Sequence, residues 1–156
     1  MTFDDFLMEI DPKYHAFARE MDKYLLDNGC TLKISTAKSG YLVSYQHGKK
    51  KRVLLNFVFR KSGLVARVYA GNVEQYMETI ENLPDNMKKS IEKAPKCKRF
   101  EDPPKCSPKC IGYVFKLEGT HHQKCRYNCF LFEVNDETIP HIKEMVEREL
   151  SSRVEV

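Results

Sequence analysis

Four cysteines in the second half of the chain fall into two pairs, Cys106/Cys110 and Cys125/Cys129, with three residues inside each pair and fourteen between them. Thiols grouped this way can bind zinc, hold an iron–sulfur cluster, exchange disulfides, or simply fill a core. Sulfurs that share one zinc at ~2.3 Å from the metal lie within ~4 Å of each other. Residues four apart on an extended strand are separated by ~13 Å. Each pair must therefore occupy a turn, and Ser107-Pro108-Lys109 and Arg126-Tyr127-Asn128 are both turn-forming sequences. A strand over residues 113–118 and a turn at Gly119-Thr120 would fold the second pair back beside the first. The expected chemistry is one structural zinc on Cys106, Cys110, Cys125 and Cys129, in a zinc-ribbon-like hairpin inside a cysteine-rich subregion, residues 95–130. The inner spacing is three residues where the standard form has two.

Cys97, His121 and His122 are alternate ligands in the same stretch. Lys96, Lys98, Lys105, Lys109, Lys124 and Arg126 would offset the double negative charge of a four-thiolate site. Four protein ligands leave no open position for water, so such a zinc stabilises and does not hydrolyse. Two alternatives use the same residues: an iron–sulfur cluster, and a thiol-redox or redox-sensing protein whose thiolates are favoured by the local lysines and arginines. Six cysteines in a reducing compartment point to metal or redox use before structural disulfides. Cys30, beside a helix stop, reads as a buried thiol.

A second pattern concerns charge. The net charge is +4, yet residues 31–70 contain nine bases and no acid. Such a stretch sustains a positive field. Lys33, Lys49, Lys50, Lys51, Arg52, Arg60 and Arg67 lie in it, interleaved with aromatic residues that include Tyr41 and Tyr45. Cations next to aromatic rings suit phosphates and stacked bases, and suit small anionic ligands equally well. The run Lys49-Lys50-Lys51-Arg52 also fits a solvated hairpin tip that discourages edge-to-edge association. No glycine-rich phosphate loop, G-x-S-x-G or H-E-x-x-H occurs, so no catalytic residue is assigned and the balance leans away from an enzyme. The function these patterns imply is a zinc-stabilised, non-catalytic domain that binds an anionic small molecule or nucleic acid through a basic sheet.

These residues must be positioned by the elements around them. The chain of 156 residues is long enough for one domain with a real core. Asp11-Pro12 opens a helix, on which Tyr14, Phe17, Ala18, Met21, Tyr24 and Leu25 recur at helical spacing before Asn28-Gly29 stops it. A shorter helical turn precedes it at residues 4–9. The period then changes to two across four segments, separated by Lys38-Ser39-Gly40, His47-Gly48-Lys49 and Lys61-Ser62-Gly63. That pattern predicts a four-strand antiparallel meander with one face on the helices and the other showing basic and aromatic side chains. Asn72 with Gln75 reads as a capping box for a helix that carries Val73, Tyr76, Met77 and Ile80. Pro84 starts a short helix with Met87 and Ile91, and Ile139, Ile142, Met145, Val146 and Leu150 mark a final one. The fold class is α+β, with the meander packed against about four helices.

This order of helix, tyrosine-rich basic meander, helices and late cysteine segment, with the stretch KCRYNCFLFEVNDE, resembles the layout of small cysteine-rich bacterial α+β proteins to which no activity is attached. The resemblance implies a bacterial origin and transfers no site residue. The N-terminus MTFDDFLMEIDPKYHAF lacks a basic region followed by an apolar one, the mark of a secretory signal. No apolar run approaches the length of ~20 residues that spans a bilayer. A cytoplasmic protein without membrane partners is therefore expected.

Overall fold

A computed structural model describes residues 2–38, 40–96 and 112–153 of the chain. Helix α1, Phe3–Met8, starts from a reciprocal cap between Thr2 and Asp5. Asp11 accepts a hydrogen bond from the Lys13 amide and Pro12 takes the first position of a 3-10 turn, Pro12–Tyr14, which runs into α2, His15–Asp27. Phe17, Ala18, Met21 and Leu25 form the buried face of α2. Gly29 then turns the chain with φ of 84°. Side chains with a Cβ rarely adopt that conformation.

Strands β1 (Cys30–Ala37), β2 (Gly40–His47), β3 (Arg52–Arg60) and β4 (Gly63–Val68) follow in meander order, each antiparallel to the last. The sheet has a fifth strand as well. Strand β7, Leu131–Glu133, pairs antiparallel with β4, so the order is β1-β2-β3-β4-β7. The period-two pattern of Phe130, Phe132 and Val134 marks a strand but carries no information about its partner. Among the described residues there are five α-helices where about four are expected, since the opening turn is a helix in its own right, α1. Helix α3, Met77–Glu81, continues a 3-10 turn over Val73–Tyr76. Helix α4, Asp85–Lys93, buries Met87 and Ile91, and α5, Ile139–Ser152, buries Ile142, Met145 and Val146.

The capping box expected at Asn72 does not form. The Asn72 side chain has no cap hydrogen bond and instead donates to Glu149 and to the Ser152 carbonyl, because α5 packs alongside and offers a carboxylate.

Alternation along the strands decides what each face of the sheet carries. Val43, Phe57, Ala66 and Phe132 stand opposite one another across four strands and are all buried. Phe57 is the centre of this face, with Phe6 stacked at 5.6 Å and Phe17 and Tyr45 edge-on at 5.9 and 6.3 Å. The next residue in each strand faces the other way. Lys33, Ser44, Asn56, Arg67 and Leu131 make one row across that second face.

Strands β5 (Tyr113–Leu117) and β6 (Thr120–Lys124) form a separate hairpin. Its two-residue turn is Glu118-Gly119, with φ of 48° and 82°. Two positive values in succession match the twist of antiparallel strands. The hairpin docks through Tyr113 and Phe115 against Phe130, at 5.1 and 5.6 Å between ring centroids. Lys88 of α4 pairs with Glu118 at 2.8 Å, and Lys124 anchors the other end. Lys124 is buried, and its Nζ donates to the carbonyls of Glu92 (2.8 Å) and Ala94 (2.7 Å). These lie at the open end of α4, where carbonyls lack helical partners and favour a cation. The charge of Lys124 is thus engaged by a helix terminus. No described helix is long and apolar enough to cross a membrane.

Several buried acids in this core keep their protons in the folded state. Burial raises the Cys30 thiol from 9.0 to about 11. It also raises the phenols of Tyr45, Tyr76 and Tyr113. An unfolded chain releases these protons at lower pH than the native one, so stability is intact below about pH 9 and falls as pH rises toward about 11. Thermal melts across that window should show the decline, and Cys30→Val should make it shallower. An unchanged pH profile in the variant would refute a proton held on Cys30.

Candidate anion-binding site

At one end of the sheet, where β3 begins and β4 ends, the described residues line a cleft of about 470 Å³ that includes Arg52, Tyr69, Tyr113, Arg126, Tyr127 and Arg153. Its floor is a buried ion pair. Glu149 and Arg153, one helical turn apart, have side chains 0% and 3% exposed and meet at 2.9 Å. The Arg153 guanidinium also donates to the carbonyls of Arg52 (3.2 Å), Val53 (2.8 Å) and Tyr69 (3.0 Å), which ties the start of β3 to the chain leaving β4. Glu149 accepts from the Asn72 amide at 2.9 Å and from the Tyr76 hydroxyl at 2.7 Å. Both charges are consumed inside the protein.

The walls are different. Arg52 and Arg126 are exposed, and among the described residues no ion pair involves either guanidinium. Arg52 lies across Gly71, with a guanidinium nitrogen 3.8 Å from where a Cβ would stand, an ordinary contact that costs the site nothing. Among its described lining residues the cleft therefore carries two cations in excess and no carboxylate. Tyr113 forms the back wall, and its hydroxyl accepts from the Ala70 amide at 3.1 Å.

Tyr69 and Tyr127 complete the lining, held by a polar cluster on the second face of the sheet. Arg67 Nε donates to the Tyr127 carbonyl at 2.8 Å. Its guanidinium lies 5.5 Å from the Tyr127 ring centroid. That is within cation–π range. Asn56 satisfies all its neighbours when its amide oxygen accepts from Arg67 Nη1 (3.3 Å) and the Tyr69 hydroxyl (3.1 Å) while its nitrogen donates to Ser44 Oγ (2.9 Å). Tyr69 meets Tyr127 edge-on at 6.5 Å.

The residues expected to bind anions are dispersed by this geometry. Arg52 reaches the cleft. Lys49, Lys50 and Lys51 are exposed on the β2–β3 turn that leads into it, and Lys51 adopts φ of 50° there. Lys33 is exposed on β1, the opposite edge of the sheet. Arg60 lines a separate hollow of about 420 Å³ that also contains Glu133, a carboxylate that disfavours anions. Arg67 is buried and supports Tyr127. Tyr41 and Tyr45 point to the helix-bearing face, where Tyr41 packs edge-on to Phe59 at 6.5 Å and the buried Tyr45 donates to Asp22 at 2.8 Å. Strand alternation explains this, since odd positions of β2 face the core and cannot share a surface with Lys33 or Arg67. Tyr69, one of the aromatics interleaved with the bases of the acid-free stretch, completes the cleft with Arg126 and Tyr127, and sequence patterns single out neither Arg126 nor Tyr127 as binding an anion. The one available signal is an arginine beside a tyrosine within the turn of the second cysteine pair.

Of the candidate metal ligands, Cys97, Cys106 and Cys110 lie outside the described residues. Cys125 and Cys129 occupy a single turn, with the Cys129 amide donating to the Cys125 carbonyl at 2.9 Å and the Asn128 amide donating to the same oxygen at 3.2 Å. Cys125 is half-buried and Cys129 fully buried. His121 and His122 sit within β6 rather than in the turn, His121 exposed and His122 packed on the Phe115 ring at 5.5 Å. Among the described residues no group of three or more His, Cys, Asp and Glu side chains is placed to hold a metal ion.

No family model, curated protein or solved structure matches this chain, so the site is read from its own chemistry.

Removing one partner of a buried, hydrogen-bonded ion pair strands the other charge and costs roughly 3–5 kcal/mol. Urea denaturation of Arg153→Met should show a loss of that size. Arg52→Gln, at an exposed site, should stay within about 0.5 kcal/mol of the parent. Similar stabilities for the two variants would show that the pair does not hold the cleft together.

Proposed function

We propose that this protein is a binding domain for an anionic ligand, small molecule or nucleic acid, and that Arg52 and Arg126 at the mouth of the cleft are its anchors. The observation that carries the proposal is the pair of exposed guanidiniums without carboxylate partners among the described residues, in a cleft whose floor has its own charges internally satisfied. Guanidinium matches the geometry of phosphate and carboxylate in a two-bond fork. Hydrogen bonds to charged groups contribute on the order of 1.5–3 kcal/mol each, so losing either arginine should weaken binding about tenfold or more. The lysine tip, beginning beside Arg52, extends the positive field along which a longer anion would track.

Titration with a panel of phosphorylated and carboxylated metabolites and short oligonucleotides tests this. The double variant Arg52→Gln/Arg126→Gln should bind at least tenfold more weakly than the parent. If the partner is a single strand, the logarithmic affinity should fall with salt by about 0.7 per phosphate contact, and Lys49, Lys50 and Lys51 changed together to Gln should flatten that slope. A small anion should be indifferent to the tip. If no member of the panel shifts the melting temperature, the proposal fails.

A structural zinc belongs to the same proposal. The support for it is the Cys125–Cys129 turn, since a turn is what two ligands four residues apart need in order to share one ion. Cys106 and Cys110 are the partners proposed for them. Elemental analysis of protein purified without chelator should find about one equivalent of zinc, lost in Cys125→Ser and retained in Cys30→Ser. Metal-free protein whose thiols disappear on mild oxidation would favour the thiol-redox alternative, and iron with visible absorption a cluster.

A further inference from the structure

We infer that the cleft recognises a nucleotide unit, with the phosphate on Arg52 and Arg126 and the base stacked on Tyr127. The inference rests on the anion-binding reading above and names its ligand class. Among the described residues, four large apolar side chains are exposed, Met8, Leu26, Val114 and Tyr127, and Tyr127 is the one aromatic among them. It is 56% exposed, yet it is not loose. Arg67 lies against its ring at 5.5 Å and donates to its backbone carbonyl at 2.8 Å, and Tyr69 braces it edge-on at 6.5 Å. Arg67 is itself buried and tied to Asn56. The protein thus orders a solvent-facing ring with a buried arginine, whose desolvation is costly unless the geometry is used.

A ring braced from behind, in a cleft shared with two guanidiniums that have no carboxylate partner among the described residues, matches a ligand that is planar at one end and doubly anionic at the other. Nucleobases stack on aromatic side chains without regard to sequence, and an adjacent phosphate is the anion arginine binds in a fork. A free mononucleotide and one unit of a single strand present this same chemistry. A plain carboxylate or sugar phosphate uses the arginines and leaves Tyr127 with no role.

The test is a matched pair of ligands, ribose 5-phosphate and uridine 5′-monophosphate, with a short oligouridylate as a third arm, titrated calorimetrically into the full chain. Stacking predicts that the nucleotide binds roughly 5- to 150-fold more tightly than ribose 5-phosphate, about 1–3 kcal/mol. Tyr127→Leu should erase that ratio and Tyr127→Phe should keep it. The wild-type comparison needs no variant, so it stands even if a substitution disturbs the turn. Oligouridylate binding more tightly per site than the mononucleotide, with a steeper salt dependence, assigns the unit to a strand; the reverse assigns it to the free nucleotide. Both outcomes support the inference. Equal affinity for the two phosphates, or a ratio that survives Tyr127→Leu, overturns the stacked base and leaves the anion site standing. No binding of any of the three overturns this inference, while the wider panel above decides separately whether the anion site stands.

Discussion

Two opposite charges placed inside the protein, Glu149 and Arg153, constrain where the last helix can sit. Taking a carboxylate and a guanidinium out of water costs several kcal/mol per ion, which is recovered only when geometry and hydrogen bonding are close to complete. Here the pair collects an amide, a phenol and three carbonyls from segments that are up to 101 residues apart in sequence. Those partners converge at one place, where β3 begins and the chain leaves β4. A shift of α5 by one residue would turn both charges away from them. Apolar packing by Ile142, Met145 and Val146 holds the helix against the sheet but tolerates sliding, whereas the ion pair does not. The cleft is a by-product of this lock, because the carbonyls it immobilises belong to Arg52, Val53 and Tyr69.

The second face of the sheet repeats the logic with weaker groups. Ser44, Asn56 and Arg67 are all buried in a row that apolar residues could have filled. Each is satisfied by its neighbours, so the row costs little, and a fully connected network fixes one arrangement where an apolar row would allow several. Its output is directional: Arg67 ends under Tyr127. Both polar networks point toward the same end of the sheet. The opposite edge, β1, exposes Lys33 and carries no comparable cluster among the described residues.

Periodicity made the core legible in advance. The meander, the buried faces of α2, α4 and α5, and strand β5 with the turn after it all follow from spacing and from glycine and proline punctuation, because those signals are local, whereas the polar β6 shows no such alternation. What local signals omit is who pairs with whom. Nothing in Phe130, Phe132 and Val134 says that this strand joins β4, and nothing in Glu149 says that a residue on the buried stripe of α5 will be an acid neutralised four positions later. Charge counting, by contrast, carries no information about where each base ends up. The acid-free stretch draws attention to every base within it, whereas Arg67 is internal, Arg60 shares its hollow with Glu133, and Arg126, which lines the cleft, lies outside the stretch altogether. Lys124 shows the same thing, a charge held at a helix terminus, which no local pattern displays. Aromatic residues sorted by strand parity, which a sequence does display, would have separated Tyr45 from Tyr69, given the position of one core residue.

The long span of the floor has a temporal side. Ribosomes add roughly 5–20 residues per second. Arg153 caps the carbonyl of Arg52 across 101 positions. Between the emergence of the two, a nascent chain waits roughly 5–20 seconds. During that interval the meander can pair its strands, but the start of β3 has no clamp and the cleft has no floor. A ligand that needs both walls and floor has nothing to grip until synthesis has passed Arg153. The cleft is thereby complete only in chains that have been made at least that far, and a product cut short before α5 lacks its floor even where its sheet has formed.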